Sequence, residues 1–220
     1  GSCYAMFRTA ASPQLTYSQV FEQIQVAGQV GPGYVLSTQN NGLGVLYNTN
    51  IIAVRDCWFY NNTNMVAALD MSNCTNYSIS NCEFEQTGNY GVILGHGGTL
   101  TQNWFEFQTT APLQFQATSS VPSAHNLIQG NYFSAFSGAF VIPTGCDDNV
   151  FISNAGGNWT ISAANGEAKV VIGGMRSSFG TAPTLAQTLG AAGGTLTVQS
   201  AFLVGIADNT WKLIYSFTPP

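Results

Sequence analysis

Charge is what this chain has least of. Its 220 residues include five Lys+Arg and ten Asp+Glu, so 7% are charged, where a globular domain averages about a quarter. Five scattered cations in a chain of net charge −5 cannot build a surface that tracks phosphates, which argues against a nucleic-acid partner. Lys, Glu and Arg usually fill exposed helix faces, so their scarcity argues against a long helical protein. No apolar run approaches the roughly 20 residues that a membrane-spanning helix needs, and no charged-then-apolar leader opens the chain. Membrane insertion is therefore not expected. The leading Gly1-Ser2 reads as a cloning remnant, and the chain as a piece of something longer.

Metal-ligand spacing is missing as well. Cys3, Cys57, Cys74, Cys82 and Cys146 form no CxxC and no Cys/His set, so they read as reduced core residues. His96 and His125 stand apart in sequence, and two separated histidines make no metal site. Neither a metal nor a cofactor is expected.

What fills the gap is neutral polarity: 19 Asn, 14 Gln and 24 Gly beside 45% hydrophobic residues. That apolar share separates the chain from disordered polar sequences. Four N-glycosylation sequons (Asn61, Asn73, Asn76, Asn158) arise by chance in such a composition and place the protein in no secretory pathway.

The organising signal is an internal repeat. Val54-Arg55-Asp56-Cys57-Trp58-Phe59, Ile79-Ser80-Asn81-Cys82-Glu83-Phe84, Leu100-Thr101-Gln102-Asn103-Trp104-Phe105 and Ile128-Gln129-Gly130-Asn131-Tyr132-Phe133 align. Each reads aliphatic, two polar or small residues, Cys or Asn, a variable residue, then Phe. Ten residues beyond the first three Phe positions stand Leu69, Leu94 and Phe115, with Ala67, Val92 and Leu113 two residues earlier. The fourth repeat has Pro143 and Val141 at these positions. An earlier turn fits loosely through Val30, Val35, Leu43 and Val45, and a later one begins at Asn149-Val150-Phe151-Ile152.

A coil of short strands explains this period, because a single turn cannot bury its own apolar side and stacking closes the core. Period-2 alternation then points Val54/Ile79/Leu100/Ile128, Cys57/Cys82/Asn103/Asn131 and the Phe column inward. Inward Asn residues can satisfy backbone groups and one another in a ladder. Cys57 and Cys82 become neighbours, read as packed thiols, since adjacent in-register strands suit disulfide geometry poorly.

The four Cys/Asn-x-Phe strings resemble the repeat of right-handed parallel β-helices in the pectin-lyase-like superfamily, over roughly residues 30 to 155. The composition and the changed C-terminal segment are most similar to the later part of a bacteriophage tailspike. The fold expected is all-β: a lead-in over residues 1–29 that includes at most a truncated turn, a parallel β-helix over 30–165, and a small C-terminal β module over 166–220. In the last part, Thr184 to Thr195 reads as a linker or small-residue region, and Thr195–Ile206 with Trp211–Phe217 as a hairpin. The resemblance implies a homotrimer carried on a phage virion, acting outside the cell on a bacterial surface polysaccharide.

Candidate chemistry lies on the outward face beside the Phe column. There each turn displays a pair: Trp58 with Tyr60, Glu83 with Glu85, Trp104 with Glu106, Tyr132 with Ser134. Rigid apolar rings near carboxylates suit sugar binding, making Trp58, Tyr60, Trp104 and Tyr132 the substrate-binding candidates. Glycoside hydrolysis needs two carboxyls about 5–9.5 Å apart, and in stacked strands Glu83, Glu85 and Glu106 would have Cα atoms roughly 5–8 Å apart. An acid/base pair drawn from these three is the catalytic candidate, with one pKa raised by repulsion between Glu85 and Glu106. Arg55 beside them would hold an anionic sugar or pair with Glu83. Asp56 reads as a turn cap, Asp70 as a lone outward acid, and Asp147-Asp148 as a loop. The competing reading makes the aromatic stripe a subunit interface in a non-enzymatic, adhesive, trimerising fragment. A monomeric pectinase-like enzyme fits less well, given so few turns.

Overall fold

The computed structural model describes residues 5–8, 16–28, 32–38, 49–61, 63–117, 122–157, 159–163, 184–189 and 194–198. Strands follow one another in short pieces. The first turn carries β1 (Ala5–Arg8), β2 (Thr16–Glu22) and β3 (Gln25–Ala27). The next has β4 (Tyr34–Ser37), β5 (Thr49–Arg55) and β6 (Trp58–Tyr60). Then come β7 (Ala67–Asp70), a two-residue β8 (Cys74–Thr75), β9 (Ser78–Ser80) and β10 (Glu83–Glu85). Two further turns supply β11 (Tyr90–Ile93), β12 (Thr99–Thr101) and β13 (Trp104–Glu106), then β14 (Ala111–Gln114), β15 (Leu127–Gln129) and β16 (Tyr132–Ser134). After these stand β17 (Ala139–Ile142), β18 (Val150–Ile152), β19 (Ala155–Gly156) and β20 (Thr160–Ala163). Last come β21 (Thr184–Leu189) and β22 (Gly194–Val198).

Three parallel sheets result: β1-β4-β7-β11-β14, β2-β5-β9-β12-β15-β18 and β3-β6-β10-β13-β16-β19. The protein is an all-β parallel β-solenoid, as its repeat implies, and the described residues contain no helix. The segment read as a lead-in also holds strands in register with the turn above, Val26 against Phe59 and Phe21 against Val54.

Corners explain the repeat motif. Between the second and third sheets the chain turns at Gln23, Asp56, Asn81, Gln102, Gly130 and Ser153, all at φ between 51° and 64°. Asn, Asp and Gly enter this left-handed region at least cost. The amides of Gln23, Asp56, Asn81, Gln102 and Gly130 bond the turn above, as in Asp56 N–H to Ser80 O at 3.1 Å and Asn81 N–H to Thr101 O at 3.1 Å. The residue after the corner points in, and the Phe two residues later is buried: Phe59, Phe84, Phe105 and Phe133. Their rings stack, with Phe84 and Phe105 centroids 4.7 Å apart. Each fully buried Phe contributes about 1.5–3 kcal/mol by removal from water.

The inward Asn column is a ladder. Asn103 Nδ2 donates to Asn131 Oδ1 and to Ile79 O, each at 2.9 Å, and Asn131 repeats this with Asn154 Oδ1 and Leu100 O, each at 3.0 Å. A second ladder, unmarked by the repeat, runs at another corner. Asn126 Nδ2 donates to Asn149 Oδ1 at 2.9 Å, and Asn126 Oδ1 accepts from Tyr77 Oη and Gly98 N. A Cβ on Gly98 would lie 2.1 Å from the Tyr77 ring, so only glycine fits there. Cys57, Cys74, Cys82 and Cys146 are buried free thiols.

Four expectations need correction. Leu69 pairs with Val92, and Val92 with Leu113, so the second register is offset by two residues after Leu69. A slip of two keeps each side chain on its face, so burial patterning could not reveal it. Asp70 is fully buried and not alone, accepting from Ser37 Oγ and Ser72 N at 3.0 Å. The Thr184–Thr195 stretch contains β21, which pairs in parallel with β20 and antiparallel with β22. Thr195 pairs with Thr188 in that antiparallel pair. The fourth correction concerns the histidines, which sit together with ring centroids 4.9 Å apart, and His125 Nδ1 lies 3.6 Å from Asp148 Oδ2. Among the described residues no His/Cys/Asp/Glu group is arranged to hold a metal ion. Cys3, Val30, Leu43, Val45, Asn158 and Trp211–Phe217 lie outside the described residues.

Candidate functional site: an aromatic and acidic groove

The third sheet aligns its outward residues in two columns. Glu83 lies between Trp58 and Trp104 on the neighbouring strands, and Tyr132 follows Trp104. In the other column Tyr60, Glu85, Glu106 and Ser134 stand in register. All eight proposed face residues therefore share one surface, as alternation requires. Trp58 and Trp104 are 38% and 41% exposed, against complete burial of the Phe residues between the columns.

Each indole is held by an aromatic neighbour. Trp58 stacks on Tyr60, centroids 4.5 Å apart, and Trp104 on Tyr132 at 4.1 Å. The Trp104 Nε1–H also donates to Glu106 Oε2 at 3.0 Å, fixing the ring's orientation. Because a glutamate is slimmer than an indole, the column is recessed at Glu83. A groove of ≈ 430 Å³ opens there, lined by Trp58, Glu83 and Trp104 and by the corner residues Asp56, Asn81 and Gln102, with Cys57 and Cys82 behind. Asn81 Nδ2 donates to Asp56 Oδ1 at 2.6 Å.

The corner residues are the part that sequence reasoning missed. Asp56 is a corner residue as expected, but its left-handed backbone also turns its carboxylate along the groove. The signal was available in the aligned Asp56/Asn81/Gln102 position, one residue before the inward column and two before the tryptophans.

Electrostatically, Glu83 stands out. Its partial burial, and then the charges of Glu85 and Glu106, hold its pKa above the usual carboxylate range. The raised acid is thus Glu83, with burial ahead of repulsion as the cause. Arg55 does not join this face. Its guanidinium is bidentate to Glu22 on the adjacent turn, Nε to Oε1 at 2.9 Å and an Nη to Oε2 at 3.0 Å. Register explains the choice, since Glu22 lies directly opposite Arg55. The expected pair with Glu83 is not formed.

Behind the groove the two thiols act as a pair. Their interaction holds the pKa of Cys57 below the usual thiol value and that of Cys82 above it, and each donates to a backbone carbonyl, Cys57 Sγ to Arg55 O and Cys82 Sγ to Ser80 O, at 3.2 Å. Comparison with family models, with curated proteins and with solved structures returned no match, so the site is read from its own geometry.

Proposed function

We propose that this face binds a bacterial surface polysaccharide, and that the chain is part of a trimeric, phage tailspike-like protein acting at the host surface. The observation that carries the polysaccharide reading is the groove in which Trp58 and Trp104 flank Glu83 beside the corner residues Asp56, Asn81 and Gln102. Sugars offer apolar ring faces and a fringe of hydroxyls. Indoles supply the apolar contact, and carboxylates and amides supply acceptors and donors for the hydroxyls. The parallel β-solenoid supports the reading by setting these groups on a rigid sheet.

Hydrolysis is the chemistry this arrangement suits. A general acid must hold its proton near working pH, and partial burial of Glu83 favours that state. Glu85 and Glu106 remain the candidates for the second carboxyl, and Trp104 orients Glu106. The test is incubation with a panel of capsule and O-antigen polysaccharides, reading both retention and released oligosaccharide. Retention with cleavage supports the depolymerase, and retention alone supports an adhesive role. A second reading is favoured by the exposure of Trp58 and Trp104, which would also suit a subunit interface. Light scattering on Trp58→Ala and Trp104→Ala separates the two: an interface role predicts loss of the trimer, and glycan binding predicts an intact one.

A further inference from the structure

The groove's charge points to the class of glycan. Its lining includes the carboxylate of Asp56 beside the carboxyl group of Glu83, and Glu85 and Glu106 stand in the adjoining column. Arg55 is the one Lys or Arg among the described side chains, and Glu22 holds it through both guanidinium contacts. Among the described residues, therefore, no cation is placed to neutralise an anionic sugar entering the groove. An added negative charge would meet like charges at close range, a repulsion that salt screens.

Shape adds to this. Tyr60 covers one side of Trp58, and Tyr132 covers one side of Trp104. What each indole still offers is its side toward the groove. The two tryptophans lie two rungs apart, roughly 9.6 Å at ordinary strand spacing, with the shorter Glu83 between them. That opening suits a pyranose ring seated over Glu83, its apolar faces and edges against the indoles. Its hydroxyls would then reach Asp56, whose Oδ1 already accepts from Asn81, and the amides of Asn81 and Gln102.

Resting on the polysaccharide reading above, we propose that the groove selects an uncharged polysaccharide, one pyranose lying between Trp58 and Trp104 over Glu83, and rejects uronate- or sialate-bearing chains. Asp56, with Glu85 and Glu106 in the adjoining column, then sets specificity by repulsion, while Glu83, holding its proton, contributes a hydrogen bond.

The experiment uses the full chain and purified O-antigen polysaccharides of three kinds: uncharged repeats, uronate-bearing repeats, and the same uronate-bearing chains after chemical reduction of their carboxyls. Binding is measured at low and at physiological salt. Uncharged and carboxyl-reduced chains should bind at least about tenfold more tightly than the acidic chains, with the gap narrowing as salt rises. The Asp56→Asn, Glu83→Gln double variant keeps side-chain volume and should let the acidic chains bind, closing most of the gap. A variant that merely disturbed the fold would lose all binding, and circular dichroism reports that separately. Tighter binding of the acidic chains, or a double variant with unchanged preference, overturns the proposal while the polysaccharide reading stands. Binding to none of the three overturns both.

Discussion

The side-chain amide of Asn103 donates to Asn131 Oδ1 at 2.9 Å, while the backbone N–H of Asn103 meets the same oxygen at 3.0 Å. One carbonyl thus serves two donors on the neighbouring turn, and Asn103 Oδ1 in turn accepts from Cys82 N at 3.0 Å. Asn103 is 2% exposed, so no water replaces these bonds. Asn103→Ala leaves the Cys82 N–H unpaired and removes the Nδ2 bonds to Asn131 Oδ1 and Ile79 O, and should cost about 1–3 kcal/mol for the orphaned donor. A denaturant melt checks it. Cys82→Asn, which lengthens the ladder by one rung, should cost far less.

Ile51 occupies a corner that its stacked equivalents fill with Asn76, Gly97, His125 and Asp148, all in the left-handed region, and Ile51 itself has φ 58°. A β-branched residue is strained there, and at 51% exposure it gains little from burial. Ile51→Asn or Ile51→Gly should therefore raise stability by about 1 kcal/mol, read as a higher denaturant midpoint with unchanged slope.

Asp70 gives stability a pH dependence. Burial holds its pKa above the unfolded value, against the opposing hydrogen bonds from Ser72 and Ser37. A carboxyl raised in this way favours the folded state fully below its unfolded pKa, and that contribution is lost as pH rises through the folded pKa. Asp70→Asn removes the titration. Thermal melts should show the variant gaining on the parent as pH rises from about 4, the unfolded carboxylate value. An equal difference at every pH would sink the assignment.

If the groove cleaves its glycan, Glu83 supplies the proton. Its raised pKa means that kcat/KM should fall on the alkaline side at a pH above the ordinary carboxylate value, as the acid loses its proton. Glu83→Gln should abolish that limb and lower kcat by about 10²–10⁴-fold, the usual contribution of a general acid. Retained polysaccharide binding in the variant separates chemistry from recognition.

Alternation and repeat length by themselves determined the parallel solenoid, the inward Val54/Ile79/Leu100/Ile128 and Phe columns, and the shared outward face of Trp58, Glu83 and Trp104. These follow from a period of two, which assigns each side chain to a face before any partner is known. Partnerships were decided only by the tertiary structure. Leu69 meets Val92 because a corner changes length by two residues, which leaves every face assignment intact. Arg55 meets Glu22 because the strand below carries an acid in register, although Glu83 is nearer in sequence. Asp70 is buried where Ser37 and Ser72 bond it. Which residues oppose one another depends on corner lengths and left-handed corners such as Asp56 and Ile51. Face assignment is a local property of the chain, whereas the groove between Trp58 and Trp104 exists only once three turns are stacked.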